Sequence, residues 1–155
     1  MKNKSLILSM VAVAILCLLI YSFFIANREN INITCHGILV TQNDQTSSRA
    51  RISVFLHGKN GRVNFDGIAK NKDNEATIIR RASSFNFSHY GDTYIIYKSI
   101  VSELPGNTTP ADLLIGMYPS FMLFDGMDYR FNMYPTGGNG YLFMSDKFVT
   151  LSCVR

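Results

Sequence analysis

The sequence lacks the strings that usually announce catalysis. No GxSxG, SxxK or HExxH pattern occurs, so the nucleophile and zinc-hydrolase arrangements that those spacings build are missing as motifs. His36, His57 and His89 stand apart, and no HxH or CxxC spacing offers a metal ion two ligands from one segment. The glycines of "TGGNG" have no following helix or lysine, which leaves a turn rather than a phosphate loop. Basic residues never run beyond Arg80 and Arg81, which argues against nucleic acid as a partner. No nucleophile, base and orienting residue assemble, so the expectation is a protein that is not an enzyme and carries no cofactor.

One long apolar run is present. From Leu6 to Ala26 the chain reads "LILSMVAVAILCLLIYSFFIA", without a charge. At the helical rise this covers about 30 Å, the thickness of a bilayer's hydrocarbon core, so a single membrane pass is expected over 6–26. A cleaved signal peptide has a shorter apolar region and a small-x-small site, whereas here bulky Phe24 lies two positions before Ala26. A lipoprotein site at Cys17 is disfavoured by the large Leu16 before it and the apolar residues after it. Lys2 and Lys4 precede the run, and the positive-inside rule therefore keeps a five-residue tail, 1–5, in the cytoplasm and exports 27–155. Removing those two lysines from the fifteen bases leaves 13 against 11 acids in the exported part, close to neutral.

Within 27–155 apolar residues recur with period two. "NITCHGILVTQ" reads as a first strand. "ARISVFLH" sets Ala50, Ile52, Val54 and Leu56 against Arg51, Ser53, Phe55 and His57, the pattern of a half-buried antiparallel strand. "GKNG" closes a hairpin into "RVNFDGIA", and "EATIIRRASSFNFSHY" and "TYIIYKSIVSEL" extend a meander. In the latter, Tyr94, Ile96 and Lys98 share one face. One short helix is expected at "TTPADLLIG", with Thr109 as cap and Pro110 at the first helical position, limited by Gly116 and Pro119. "SFMLFD", "YRFNMY", "YLFMS" and "KFVTLSC" read as further strands. The expected fold is mainly β: a small antiparallel sheet or partly closed barrel with one short helix, after an N-terminal transmembrane helix.

Two of the three cysteines, Cys35 and Cys153, fall in the first and last of these strands. An even pair of exported thiols in an oxidising compartment implies a disulfide, unless the two strands lie too far apart. Cys35 and His36 are strand neighbours whose side chains diverge, so they make a poor catalytic or metal pair. Asp125 and Asp128 in "FDGMDY" read as a turn, and Arg80 and Arg81 lie mid-strand on opposite faces, where one is placed to meet a carboxylate or backbone carbonyls inside, although a solvated pair is the usual outcome. The N-x-S/T strings at Asn32, Asn86 and Asn107 are taken as chance. Aromatics crowd the later strands; most belong to a core, but in a half-open barrel Phe85, Phe87, Tyr94, Phe131 and Tyr141 are candidates to line a cavity for a small apolar ligand.

The apolar anchor, "ITCHGILV", "GKNGRVNFDG", "IRRASSFNF" and the terminal "LFMSDKFVTLSCVR" together resemble the FidL-like membrane proteins of enteric bacteria, over nearly the whole chain. The resemblance implies a bacterial inner-membrane protein with a periplasmic domain, a companion of ToxR-like membrane-bound transcription regulators. By that analogy it binds and stabilises the regulator's periplasmic part, as ToxS does. One departure stands in "SELPGNTTPADL", where Gly106 follows the proline in place of an acidic residue.

Overall fold

The structure, a computed structural model, describes Met10 and residues 12–22, 31–145 and 148–155, the last of these by backbone alone at 148 and 149. The chain divides into two compact units, Met1–Ile31 and Asn32–Arg155. In the first, Met10 and residues 12–22 are helical and exposed. No helix among the described residues is long and apolar enough to cross a membrane. The expected span over 6–26 lies partly outside those residues, and the tail 1–5 wholly so.

The second unit is a closed, up-and-down antiparallel barrel of eight strands. In chain order these are β1 (Asn32–Gln42), β2 (Thr46–His57), β3 (Asn60–Asn71), β4 (Ala76–Tyr90), β5 (Thr93–Glu103), β6 (Tyr129–Thr136), β7 (Gly140–Ser145) and β8 (Phe148–Val154). The expectation of a mainly β domain holds, with full closure in place of partial. Alternation explains it: Ala50, Ile52, Val54 and Leu56 of β2 are all buried, as are Val63 and Phe65 of β3 and Phe85 and Phe87 of β4. Each such strand keeps one apolar face from water only if the sheet curls until its edges meet, and eight strands enclose a space that side chains can fill. Fully burying a side chain such as Leu56 or Phe65 contributes about 1.5–3 kcal/mol.

Turn chemistry sets the register. Gly58 and Gly91 both have φ of 58°, each at the first central position of a two-residue hairpin, where a left-handed backbone matches the strand twist. At the longer turns the side-chain oxygens of Asn43 and Asn71 accept backbone N–H bonds from Thr46 and Glu75, at 2.7 and 2.9 Å. Gly61 lies opposite Phe85, and the ring occupies the place where a Cβ on Gly61 would stand.

Three expectations change. Lys98 does not share the inner face with Tyr94 and Ile96: it adopts φ of 55° in a β-bulge, where pairing shifts between Ser84–Ile100 and Asn86–Tyr97, and Ser99 is buried in its stead. The bulge keeps an ammonium out of an apolar interior. In place of one helix capped by Thr109 there are two 3₁₀ turns, Ala111–Leu114 and Ser120–Met122, and Pro110 rather than Thr109 sits at the cap of the first. "SFMLFD" is therefore not a strand; Phe121, Met122 and Leu123 are buried consecutively, which a period of two cannot produce.

Cys35 and Cys153 form the expected disulfide, linking β1 to β8 with Cα atoms 5.5 Å apart. Replacing both with serine should lower stability by about 2–5 kcal/mol, the range for a bridge closing a loop of this length. Denaturant unfolding of the detergent-solubilised chain, with and without reductant, measures it; reductant should have no effect on the C35S/C153S form.

Candidate functional site

The segment between β5 and β6, residues 104–128, decides what the barrel can hold. β5 ends at Glu103 while β4 reaches back to Ala76, so the first residues of β4 need other partners on that side. The segment supplies them. Leu104 donates to the Arg80 carbonyl and Thr108 to that of Ile78, at 2.9 Å each, while the side chains of Asn107 and Thr108 accept the Arg80 and Ile78 amides. On its return, Asp125 accepts the Val101 amide at 2.6 Å and Gly126 donates to the Ser99 carbonyl at 2.8 Å. Asp125 is thus fixed in a turn that covers the other flank of β5.

Between these two docked stretches the segment enters the lumen. Tyr118 stacks on Phe65 with centroids 5.6 Å apart, and its hydroxyl meets that of Ser48 at 2.9 Å. Phe121 packs edge-on against Phe85 at 5.3 Å and against Tyr129 at 5.1 Å, and its carbonyl accepts the Ser83 hydroxyl at 2.6 Å. What remains is an apolar cavity of about 50 Å³ with walls from all eight strands, among them Val54, Phe85, Ile96 and Phe143, and with Phe121 intruding. Ligand pockets run to about 300–1,000 Å³, so this interior is filled by the protein itself.

Of the five aromatics considered for a ligand wall, Phe85 and Phe131 line this cavity. Phe87 and Tyr94 do not; they pack on one another at 5.7 Å, and Tyr94 stacks on Phe131 at 5.2 Å and His89 at 5.6 Å. Tyr141 is half-buried, with its hydroxyl accepting an Arg155 N–H at 2.8 Å. Arg81 is the inward arginine. It is 2% exposed, is ion-paired with Glu103, donates to the Thr109 carbonyl at 3.1 Å, and has no hydrogen-bond partner at Nε among the described residues. Arg80 faces out toward Asp66. Among the described residues no three His, Cys, Asp or Glu side chains could hold a metal ion.

Sequence reasoning missed the seam. β1 pairs with β2 at eleven positions from Asn32 to Gln42, but among the described residues its only paired position with β8 is His36–Val154. Beyond it Gly37 still lies against Ser152 and Leu151, and beside this sparsely paired stretch of β1 lies a recess of about 320 Å³ lined by Leu39, Thr41, Tyr118, Pro119, Tyr129 and Thr150. Leu39, Pro119, Tyr129 and Thr150 also line the lumenal cavity, so the two spaces share these residues as walls. A chain of hydroxyls, Thr41 to Ser48 to Tyr118, borders the recess at 2.7 and 2.9 Å. Backbone groups along a bare edge can pair with an added strand, and an apolar floor beneath them can take its alternate side chains.

Burial raises the phenol pKa of Tyr118, only partly offset by its hydroxyl partners, and raises that of Tyr94, with Asp92 adding to the effect. The unfolded chain then loses these protons first, so stability should fall as pH rises above about 10. Tyr118→Phe should flatten that fall, as followed by unfolding at several alkaline pH values. Phe121→Ala should cost about 3–5 kcal/mol and enlarge the lumen; the same variant should take up an apolar probe such as benzene, detected by recovery of thermal stability.

Compared with family models, curated proteins and solved structures, the chain matches none.

Proposed function

We propose that this is a non-enzymatic, single-pass accessory protein of a bacterial inner membrane, with its N-terminus cytoplasmic and its barrel periplasmic, that binds and modulates a ToxR-like membrane-bound transcription regulator. The uncharged run from Leu6 to Ala26, behind Lys2 and Lys4, supports the anchor and its orientation. The Cys35–Cys153 disulfide suits an oxidising compartment.

The observation that carries the reading is the sparsely paired edge of β1 beside the recess, where His36–Val154 is the one paired position with β8 among the described residues. Such an edge is matched by an extended segment of another protein, whose backbone completes the ladder while alternate side chains enter the recess. Photocrosslinking in native membranes from a benzophenone side chain placed at Thr41 tests it. The expected product is one specific adduct with a membrane protein that carries a cytoplasmic DNA-binding domain. Repeated absence of any specific adduct overturns the reading.

A second reading, a binding module for a small apolar ligand, is favoured by the contact between cavity and recess across Leu39, Pro119, Tyr129 and Thr150. It requires Pro119–Met122 to move aside. Oleate or deoxycholate should then quench tyrosine fluorescence saturably, and more tightly in Phe121→Ala; no response in either form removes it.

A further inference from the structure

We infer that the outer face of β1–β4 is a docking surface for an extended acidic segment of a partner protein. The inference rests on the reading that this domain works by binding another protein, and it names a different surface from the seam.

Register places two rows of outward side chains across four strands. Val40, Arg49, Ile68 and Ile78 are successive cross-strand partners, and so are Ile38, Arg51, Asp66 and Arg80. Ile38, Val40, Ile68 and Ile78 are 57, 68, 51 and 47% exposed, four large branched side chains held in water within one patch. Contiguous apolar surface of this kind marks interaction sites. Arg80 is committed to Asp66 at 3.4 Å and to the Pro105 carbonyl at 3.2 Å. Arg49 and Arg51 make no side-chain hydrogen bond or ion pair among the described residues. Between them and Asp66 runs a groove of about 680 Å³, flanked by Ile38 on one side and Ile68 on the other.

Charge selects the occupant. Three guanidiniums face one carboxylate, so a second copy docking by the same face would set arginine against arginine, whereas an acidic partner gains at each contact. Spacing selects its conformation. Arg49 and Arg51 are alternate residues of one strand, about 6.8 Å apart, and an extended partner repeats its same-side residues at that distance. Carboxylates at i and i+2 therefore reach both guanidiniums, each with two parallel N–H bonds available.

The test uses the full chain in nanodiscs of neutral phosphatidylcholine and two fluorescent peptides, one alternating Asp with Val and one alternating Lys with Val. The Asp peptide should bind, and R49E/R51E should weaken it at least about tenfold, as should raised salt. The Lys peptide should not bind the unaltered chain. Both arginines are on the surface, and an unchanged cooperative denaturant transition reports that the variant is folded; if it is not, Arg49→Gln with Arg51→Gln gives the same comparison without charge reversal. Equal binding of both peptides, or no loss in the variant, overturns the proposal. So does binding to phosphatidylglycerol vesicles in place of the Asp peptide, or a dimer that the variant abolishes. In native membranes, a benzophenone at Ile68 should yield adducts on a partner segment with acidic residues at alternate positions. Adducts from Thr41 but none from Ile68 remove this face and leave the accessory-protein reading intact; none from either position removes both.

Discussion

The barrel depends on how its two ends are joined. Seven of the eight strand junctions are ladders of several paired positions, and the eighth, among the described residues, has His36–Val154 and the neighbouring Cys35–Cys153 bond. Without that covalent link, the last junction would rest on a single paired position. With it, the Cα atoms of Cys35 and Cys153 are held 5.5 Å apart, and Gly37 of β1 lies close against Ser152 and Leu151. Closure therefore depends on this one junction, where a covalent bond supplements a sparse ladder.

An interior enclosed in this way must be filled. Eight strands leave space for side chains or for one small guest, and here the chain supplies its own guest. Phe121 and Tyr118 enter from the β5–β6 segment, whose two flanks complete hydrogen bonding that β5 leaves open along β4 and along its own far side. The opposition of Gly61 to Phe85 makes room for a ring next to that intruder. Occupancy of the lumen and repair of the sheet's gaps are thus achieved by one segment, and displacing it would cost both apolar burial and backbone pairing.

Much of this was legible, because period two survives wherever neighbours are in sequence. Ala50, Ile52, Val54 and Leu56 declare the inner face of β2, and Gly58 and Gly91 declare their turns. The inward arginine goes against the expected solvated pair, although parity carries it: Arg81 shares its phase with Ile79, Phe85 and Phe87, while Arg80 does not. The failures have one cause. "SFMLFD" has the composition of a strand, and only its place inside a finished barrel makes it a plug. Lys98 breaks phase through a bulge that depends on Phe85 of another strand. The seam was invisible for the same reason, since Leu39 and Thr41 alternate like any strand residues, and whether β8 follows them is settled more than a hundred residues later.

That separation also orders events in time. Every junction but the last joins neighbours in sequence, so hairpins can form as the chain emerges, with little entropy lost to loop closure. Of the eight strands β1 is made before the others and must wait for β8, the last of them. Throughout that interval one flank of β1 stands unpaired with Ile38 and Val40 beside it, the condition in which nascent sheets join wrong neighbours. A chaperone or a companion subunit that reaches β1 early would protect the protein during the longest pause in its assembly.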